Sequence, residues 1–426
     1  MLAAFYIPSL QLLNPREMTD AGIAAGFVIF IASYLVFALG KFPGTKIDRP
    51  GAAVIGAVLM VAFRIVNAGQ AIRAVDFATI VLLFSMMLIV GDLRLSGAFE
   101  AVAQFAISRL GSKHLLPAVI FITGLLSAFF VNDIICLVMV PIVLTLTDRM
   151  RLQPLPYLLA IATASNIGSV ATITGNPQNI LIGSYSGISY RSFLAHLGPV
   201  ALAGLVIDWM ILGYIFRDAH VEQAPAAKPS STPAPADPAR WIKPGVIALG
   251  VLAGFLVGFP PPLVAAIGAA LLLMTRTVDP RHLYEEVDWG LLVFFVGLFI
   301  IVAGAEQVGV TRLLFDLARH WNLQNPAVLA VATTVFSNVV SNVPAVMLMK
   351  SLIPAFQDPH RGWLILSMAS TLAGNLTITG SIANIIVVEQ AKRKGVHIGF
   401  RQYLWVGLPI TICTLTFGTF YLWLTG

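Results

Sequence analysis

Residues 172–180 read TITGNPQNI and residues 377–385 read TITGSIANI, identical at six of nine positions. Each stretch interrupts a long apolar region, 155–184 in the first case and 363–391 in the second. Working outward from these two, the match continues. Asp76 through Gly97 aligns with Asp288 through Gly309, Asn132 with Asn342, and Pro199 with Pro409, at offsets between 205 and 212. The chain therefore reads as one duplicated unit. The halves are separated by 218–240, DAHVEQAPAAKPSSTPAPADPAR, a Pro/Ala-rich hydrophilic stretch that cannot build a core. The division expected is a first repeat over 1–217, a linker over 218–243 and a second repeat over 244–426.

Composition places this unit in a bilayer. Of the 426 residues, 58% are hydrophobic and only 11% charged, with a mean hydropathy of +0.87. Soluble domains carry about a quarter charged residues, and a soluble chain this apolar would expose more apolar surface than monomers tolerate. A net charge of +6 would indicate nucleic acid only as a surface patch; here the basic residues fall in short runs between apolar stretches. The two cysteines, Cys136 and Cys413, lie in apolar segments and offer neither a disulfide framework nor a metal pair. The first 20 residues lack the basic region and cleavage site of a signal peptide and are expected to lie at the membrane interface.

A helical span needs about 20 mostly apolar residues. Stretches of that kind lie near 21–40, 50–66, 77–91, 193–216, 244–259, 262–275, 289–304 and 403–424. Four more apolar regions are interrupted: 115–148 at Asn132-Asp133, 155–184 at TITGNPQN, 326–355 at Ser341-Asn342-Val343-Pro344, and 363–391 at TITGSIAN. With 115–148 and 326–355 as re-entrant hairpins, ten segments cross. The loops at 41–49, 92–114, 148–154, 217–243, 276–287 and 392–401 then share one side and hold 18 of the 26 Lys and Arg residues. The positive-inside rule puts that side in the cytoplasm and both termini outside. Counting each hairpin as two full crossings leaves the parity unchanged.

Five crossings per half is an odd number, so the second half must be inverted relative to the first. Inverted repeats with interrupted helices at equivalent positions mark a secondary transporter. The fold expected is an all-α polytopic membrane protein, an inverted-repeat transporter with about ten transmembrane helices, two re-entrant hairpins and two broken helices.

Non-helical backbone at membrane depth is tolerated only where it is buried in protein or lines a watery cavity, so the breaks are where a site is expected. Broken helices expose N–H groups at one half-helix start and C=O groups at the other's end. Gly175 and Gly380 are expected to supply unusual backbone angles, and Pro177 to stop the first half-helix. Ser165, Asn166, Thr172, Thr174, Asn176 and Asn179, with Thr377, Thr379, Ser381 and Asn384, supply neutral donors and acceptors, joined by Asn132, Ser341 and Asn342 at the hairpin breaks. Small polar residues also serve as packing glue between helices; matching clusters in both repeats favour a binding site.

Three ionisable residues are candidates for ion or proton coupling. Asp133 stands at the first hairpin break, and a carboxylate at membrane depth marks an ion or proton pathway. It can also act as N-cap for 134–148. Lys350, in VPAVMLMKSLIP, either snorkels to the outer interface or supplies a cation near the site. Asp208, in VIDWMIL, is central in its span and either relays protons or is packed and hydrogen-bonded. Cys136 is close to Asp133, but one thiol is a poor ligand set. The seven histidines (114, 196, 220, 282, 320, 360 and 397) fall in loops or at span ends, with no HExxH, Walker A or GxSxG sequence. No enzyme activity, metal or cofactor is expected.

SAFFVNDIICLVMVPIV (127–143) and ASNIGSVATITGNPQNILIG (164–183) resemble the ion transporter superfamily, in its arsenite permease and anion permease branch, also grouped with citrate-transporter-like domains. The resemblance runs through both repeats. Related sodium/dicarboxylate carriers carry Ser-Asn-Thr at each hairpin tip; here the tips read Val131-Asn132-Asp133 and Ser341-Asn342-Val343. The resemblance implies a scaffold from the first three spans of each half, a transport domain of hairpins and broken helices moving as an elevator, and a homodimer. The function expected is proton-coupled export of arsenite, antimonite or a similar small inorganic oxyanion across the cell's inner membrane. The alternatives are a sodium- or proton-coupled carrier of citrate, dicarboxylate or another anion, and a sodium/proton antiporter. A soluble ATPase docking on the cytoplasmic loops is a further conceivable partner.

Overall fold

A computed structural model describes residues 19–41, 44–99, 101, 114–217, 238–275 and 278–425. The interfacial segment expected at the N-terminus and most of the linker, 218–237, lie outside the described residues. The described chain is all-helical, and six of its helices are long and apolar enough to cross a bilayer: 20–39, 77–95, 190–215, 240–257, 289–307 and 400–425. It divides into two compact units, Met1–Asp76 with Val293–His320, and Phe77–Leu292 with Trp321–Gly426.

The first unit holds α1 (Asp20–Leu39), α2 (Arg49–Ala62), α3 (Ala68–Ala74), most of α13 (Trp289–Gln307) and α14 (Val310–His320). Thr19 caps α1, accepting from the Gly22 N–H at 3.2 Å, and Gly40, at φ 80°, ends it. Asp48 caps α2 through the Gly51 N–H at 2.9 Å. Helices in lipid pack through small residues, and a Cβ on Gly56 would lie 2.4 Å from Ser33 Oγ, one on Gly297 2.6 Å from Ala53 backbone. The span expected at 50–66 is shorter than that, because α2 stops at Ala62 and Arg64 turns the chain with φ 57°.

The second unit is built from α4 (Phe77–Leu95), α5 (Leu115–Phe129), α6 (Asn132–Met150), α7 (Leu155–Ser169), α8 (Pro177–Ser186), α9 (Tyr190–Ile215), α10 (Pro238–Val257), α11 (Pro261–Thr275), α12 (Pro280–Glu285), α15 (Pro326–Val340), α16 (Asn342–Met349), α17 (Pro359–Leu372), α18 (Ile382–Arg393) and α19 (Phe400–Thr425). The expected scaffold of three spans per half is not how the chain clusters, since α4, α10 and α11 group with the broken helices. Residues 238–243, read from sequence as linker, are helical and open α10.

Two short helices form the centre of this unit. Every residue of α7 from Pro156 and of α17 from Gly362 is buried. A helix buried on all sides has no outward face to make polar, so its serines, threonines and asparagines must bond to protein. The α5–α7 crossing is so close that a Cβ on Gly168 would lie 2.0 Å from the Gly124 carbonyl oxygen. Long helices α9 and α19, 26 residues each, pack on one another, with Pro199 and Pro409 inside them.

Candidate functional site

The backbone leaves the helix at four places in the second unit. Between α7 and α8 it passes through an extended Thr172, a short 3-10 turn at Ile173–Gly175 and an extended Asn176. Between α17 and α18 the same course runs through Thr377, a turn at Ile378–Gly380 and Ser381. One asparagine beside each break reaches two of the carbonyls this leaves open; those of Thr172 and Thr377 also accept the N–H groups of Gly175 (3.4 Å) and Gly380 (3.1 Å). The Asn179 side-chain amide donates to the carbonyls of Ser169 (2.9 Å) and Thr172 (3.0 Å). The Asn384 amide donates to those of Gly374 (2.6 Å) and Thr377 (3.0 Å).

Two expectations about these breaks are corrected. Pro177 does not stop the first half-helix, which ends at Ser169; it begins α8, where its missing N–H would have had no partner. Gly175 and Gly380 are not in left-handed conformations. Gly175 is required by crowding, because a Cβ there would sit 2.2 Å from the Ser169 carbonyl oxygen; at Gly380 the nearest atom, Asn338 Oδ1, is 3.0 Å away.

Asn166, on α7, joins the two broken segments. Its amide nitrogen donates to Asn375 Oδ1 (2.9 Å), Asn384 Oδ1 (3.0 Å) and the Ala162 carbonyl (3.3 Å). Its oxygen accepts from Asn132 Nδ2 (3.1 Å) and Ser381 Oγ (3.0 Å). Asn375 Nδ2 continues to the Thr163 carbonyl (3.3 Å), and the one hydrogen of the Thr163 hydroxyl lies within reach of both the Leu159 carbonyl (3.0 Å) and Asp208 Oδ2 (3.1 Å). A buried polar chain thus runs from the start of α6 to Asp208 on α9. Opposite it, Asn179 Oδ1 accepts from Ser367 Oγ (2.7 Å) and Thr371 Oγ1 (3.3 Å) on α17, and Asn176 Nδ2 donates to Ser169 Oγ (3.0 Å) and Thr371 Oγ1 (3.1 Å).

The other two breaks separate helix pairs α5–α6 and α15–α16. The first falls at Phe130-Val131, so Asn132 and Asp133 open α6 rather than interrupting it. Asp133 is therefore not the N-cap, a position held by Val131 with no side-chain bond. Its carboxylate instead accepts the Ala383 N–H from the first turn of α18, where the helix dipole favours a negative charge. Thr172 donates to the Ala128 carbonyl and Thr174 to that of Phe129 (3.2 Å), tying the end of α5 to the first break. The second falls at Ser341, a half-buried non-glycine residue with φ 79°, a conformation that costs about 1–3 kcal/mol. Next to it Asn342 is buried, and its Oδ1 lacks a hydrogen-bond partner among the described residues.

Sequence reasoning thus named one connected set, Asn132, Asn166, Ser381 and Asn384, with Asp133 beside it. Other candidates are elsewhere. Lys350 Nζ lies 3.9 Å from the centre of the Tyr185 ring. Ser165 donates to the Ala162 carbonyl (3.0 Å) and is hydrogen-bonded to the buried Cys136 thiol. Thr377 donates to Asn338 Oδ1 (3.2 Å), while Thr379 is exposed. The residues missed are Asn375, Thr163, Ser367, Thr371 and Asn338. Asn375 was findable, since it matches Asn166 at an offset of 209, inside the spread of the repeat.

Apolar helices of spanning length, together with a buried polar centre and four helix interruptions in the second unit, are the marks of a multi-pass membrane transporter. The citrate transporter family, CitMHS, matches residues 34–373, and the chain belongs to it, within the ion transporter superfamily. The silicon efflux transporter LSI3 of Oryza sativa subsp. japonica is 29% identical, with 93% of this chain and 96% of that protein covered. A 46 kDa membrane protein of Mycobacterium leprae is 31% identical, covering 93% and 97%. The putative transporter arsB of Dictyostelium discoideum is 24% identical, covering 92% and 90%. The fold is that of the Alcanivorax borkumensis YdaH transporter (TM-score 0.61, 14% identity, 94% and 96% covered) and of Neisseria gonorrhoeae MtrF (TM-score 0.62, 13% identity, 95% of each).

Proposed function

We propose that this secondary transporter exports a small inorganic hydroxide or oxyanion, arsenite and antimonite being the first candidates, in exchange for protons. The observation that carries the reading is the meeting of Asn132, Asn166 and Ser381 around one buried point that Asn384 braces, with Asp133 on the Ala383 N–H. Neutral amides and hydroxyls suit a substrate that is itself a cluster of O–H groups. Trivalent arsenic near neutral pH is mainly such a hydroxide. Among the described residues Arg94 is paired with Glu286 at 2.6 Å and Lys350 lies over Tyr185, and the polar cluster itself holds no cation. The names of two relatives, silicon efflux and arsB, point to the same chemical class.

The movement proposed is an elevator stroke of an inverted-repeat protein, with repeats over 1–217 and 244–426, re-entrant helix pairs at 115–148 and 326–355, and both termini outside the cytoplasm. Three contacts support the inversion. Arg94 with Glu286, Tyr185 with Lys350, and His196 with His360 (ring centroids 5.1 Å apart) each join segments that the inverted topology puts on one side of the bilayer. Ser341, Asn342, Thr377 and Thr379 are the neutral groups that the second repeat presents to substrate as it moves. Asp133 exchanges the proton, with Asp208 at the far end of the hydrogen-bonded chain. The working form is a homodimer in the inner membrane.

Expression in arsenite-sensitive cells should restore growth and lower cellular arsenic. Unchanged sensitivity, with membrane expression verified, counts against the substrate. The family's name supports a second reading, export or uptake of citrate or another carboxylate coupled to sodium or protons. Accumulation of labelled citrate in proteoliposomes under separately imposed sodium and proton gradients decides between the two.

A further inference from the structure

Asp92, in the third-last position but one of α4, is fully buried, and neither of its carboxylate oxygens has a hydrogen-bond partner among the described residues. An ionised carboxylate held this way would be strongly disfavoured. The surroundings supply little compensation. Arg94, two residues on, is drawn to Glu286 at 2.6 Å, and Gly91 packs against the Glu286 side chain. Among the described residues, four helices make the main packing on α4. Of these α11 carries no titratable residue, α8 carries Tyr185, α10 carries Arg240 and Lys243, and α12 carries Arg281, His282, Tyr284 and Glu285, with Glu286 following it.

We propose that Asp92 is a proton-binding site, a neutral acid in the conformation described here that ionises when movement during transport opens its surroundings to water. On that movement water reaches the carboxyl group, the acid O–H bond gives its proton to that water, and a carboxylate remains. The reverse movement requires the proton to return before the site closes. Asp92 is then a second proton carrier beside Asp133, on a helix that none of the substrate-facing groups occupies. Only the link to movement rests on the transport reading; the protonation state does not.

Infrared difference spectroscopy on the purified full chain at neutral pH tests the state directly. Subtracting Asp92→Asn from the natural protein should leave the carbonyl-stretch band of a protonated, weakly hydrogen-bonded carboxylic acid. Asp92→Glu should keep that band at a shifted frequency, and it carries the test if Asp92→Asn does not fold. A folded variant pair with no band lost and none shifted overturns the proposal. In proteoliposomes, Asp92→Asn should lose at least ten-fold in proton-driven accumulation of arsenite while exchange without a gradient survives. Undiminished accumulation overturns the coupling role. Failure of the natural protein to move arsenite at all removes the substrate reading and leaves the infrared result standing.

Discussion

Asn179 and Asn384 make the same pair of hydrogen bonds, each amide donating to the carbonyls ten and seven residues before it. The oxygen of each then accepts from a helix of the other half, Asn179 from Ser367 and Thr371 on α17, Asn384 from Asn166 on α7. Both residues are therefore braces of the unwound backbone. Their donors are consumed by carbonyls that the breaks leave open, and their acceptors by the opposite segment. What remains for a substrate is the ring of groups around them.

A brace of this kind is costly to remove. Replacing Asn384 with Ala leaves the buried Gly374 carbonyl without its side-chain donor, and replacing Asn179 leaves the Ser169 carbonyl only a long 3.5 Å contact from Asn176. The Thr172 and Thr377 carbonyls keep the Gly175 and Gly380 N–H groups. An unmet buried carbonyl costs about 1–3 kcal/mol. Both variants should melt at clearly lower temperature and lose transport in proportion to the folded protein lost. Thermal unfolding in detergent, followed by transport per folded molecule, checks this. Near-normal stability with selective loss of substrate binding would move these residues back to direct ligands.

Two glycines in equivalent positions should respond differently to the same change. A methyl at Gly175 would meet the Ser169 backbone at 2.2 Å, where nothing can yield without shifting the break itself. At Gly380 the nearest contacts are looser, a side-chain oxygen at 3.0 Å and the backbone oxygens of Gly374 and Ala373 at 3.1 and 3.2 Å. Overpacking in a close-packed interior costs about 1–3 kcal/mol and occasionally more. Gly175→Ala should fall at or above that range and Gly380→Ala at or below its lower end, as read from unfolding midpoints. Equal penalties would contradict the asymmetry between the two breaks.

The apolar spans and the four interruptions were legible because each leaves a local mark: a run of apolar residues, or a cluster of polar residues, Gly or Pro within one. The placement of Pro177 was not, because proline is equally at home after one helix and at the start of the next. Nor could the sequence separate Asn176 and Asn179 from Asn132, although all are asparagines beside a break. That distinction depends on whether the carbonyls an amide reaches are already bonded. Asp92 was overlooked for a related reason: it sits among Leu93, Arg94 and Ser96 near a helix end, where a carboxylate usually meets water.

His196 and His360 face one another with ring centroids 5.1 Å apart, and burial together with the His196 ring holds the His360 imidazole below its ordinary value. Asp358, which caps α17 through the Arg361 N–H, offsets part of that shift. The sign follows from linkage. The folded state keeps His360 neutral, so the unfolded chain takes up the proton first, and stability falls as the pH drops through roughly 6.5. His360→Gln should flatten this acid limb, and His196→Gln should reduce it. Unfolding temperatures measured from pH 8 to pH 5 check the order; parallel slopes in all three proteins would rule the pair out as its origin.

Coupling is the property on which the site is most exposed to test. Asp133 stands in the first turn of α6, and its carboxylate accepts the Ala383 N–H, while its neighbour Asn132 is bonded to Asn166. Loading and unloading a proton at Asp133 changes how strongly α6 is held against the start of α18, since a carboxylate accepts from a helix N-terminus more strongly than a neutral acid does. Asp133→Asn keeps an oxygen that can accept the same N–H but has no proton to exchange. That variant should fold, should still exchange substrate across a membrane without a gradient, and should lose gradient-driven accumulation at every pH. Asp133→Ala removes the acceptor as well and should weaken both activities. Proteoliposomes with imposed pH gradients separate the two modes. Uphill transport by Asp133→Asn with an unaltered pH profile would take Asp133 out of the mechanism and leave the proton to Asp208 or Asp92.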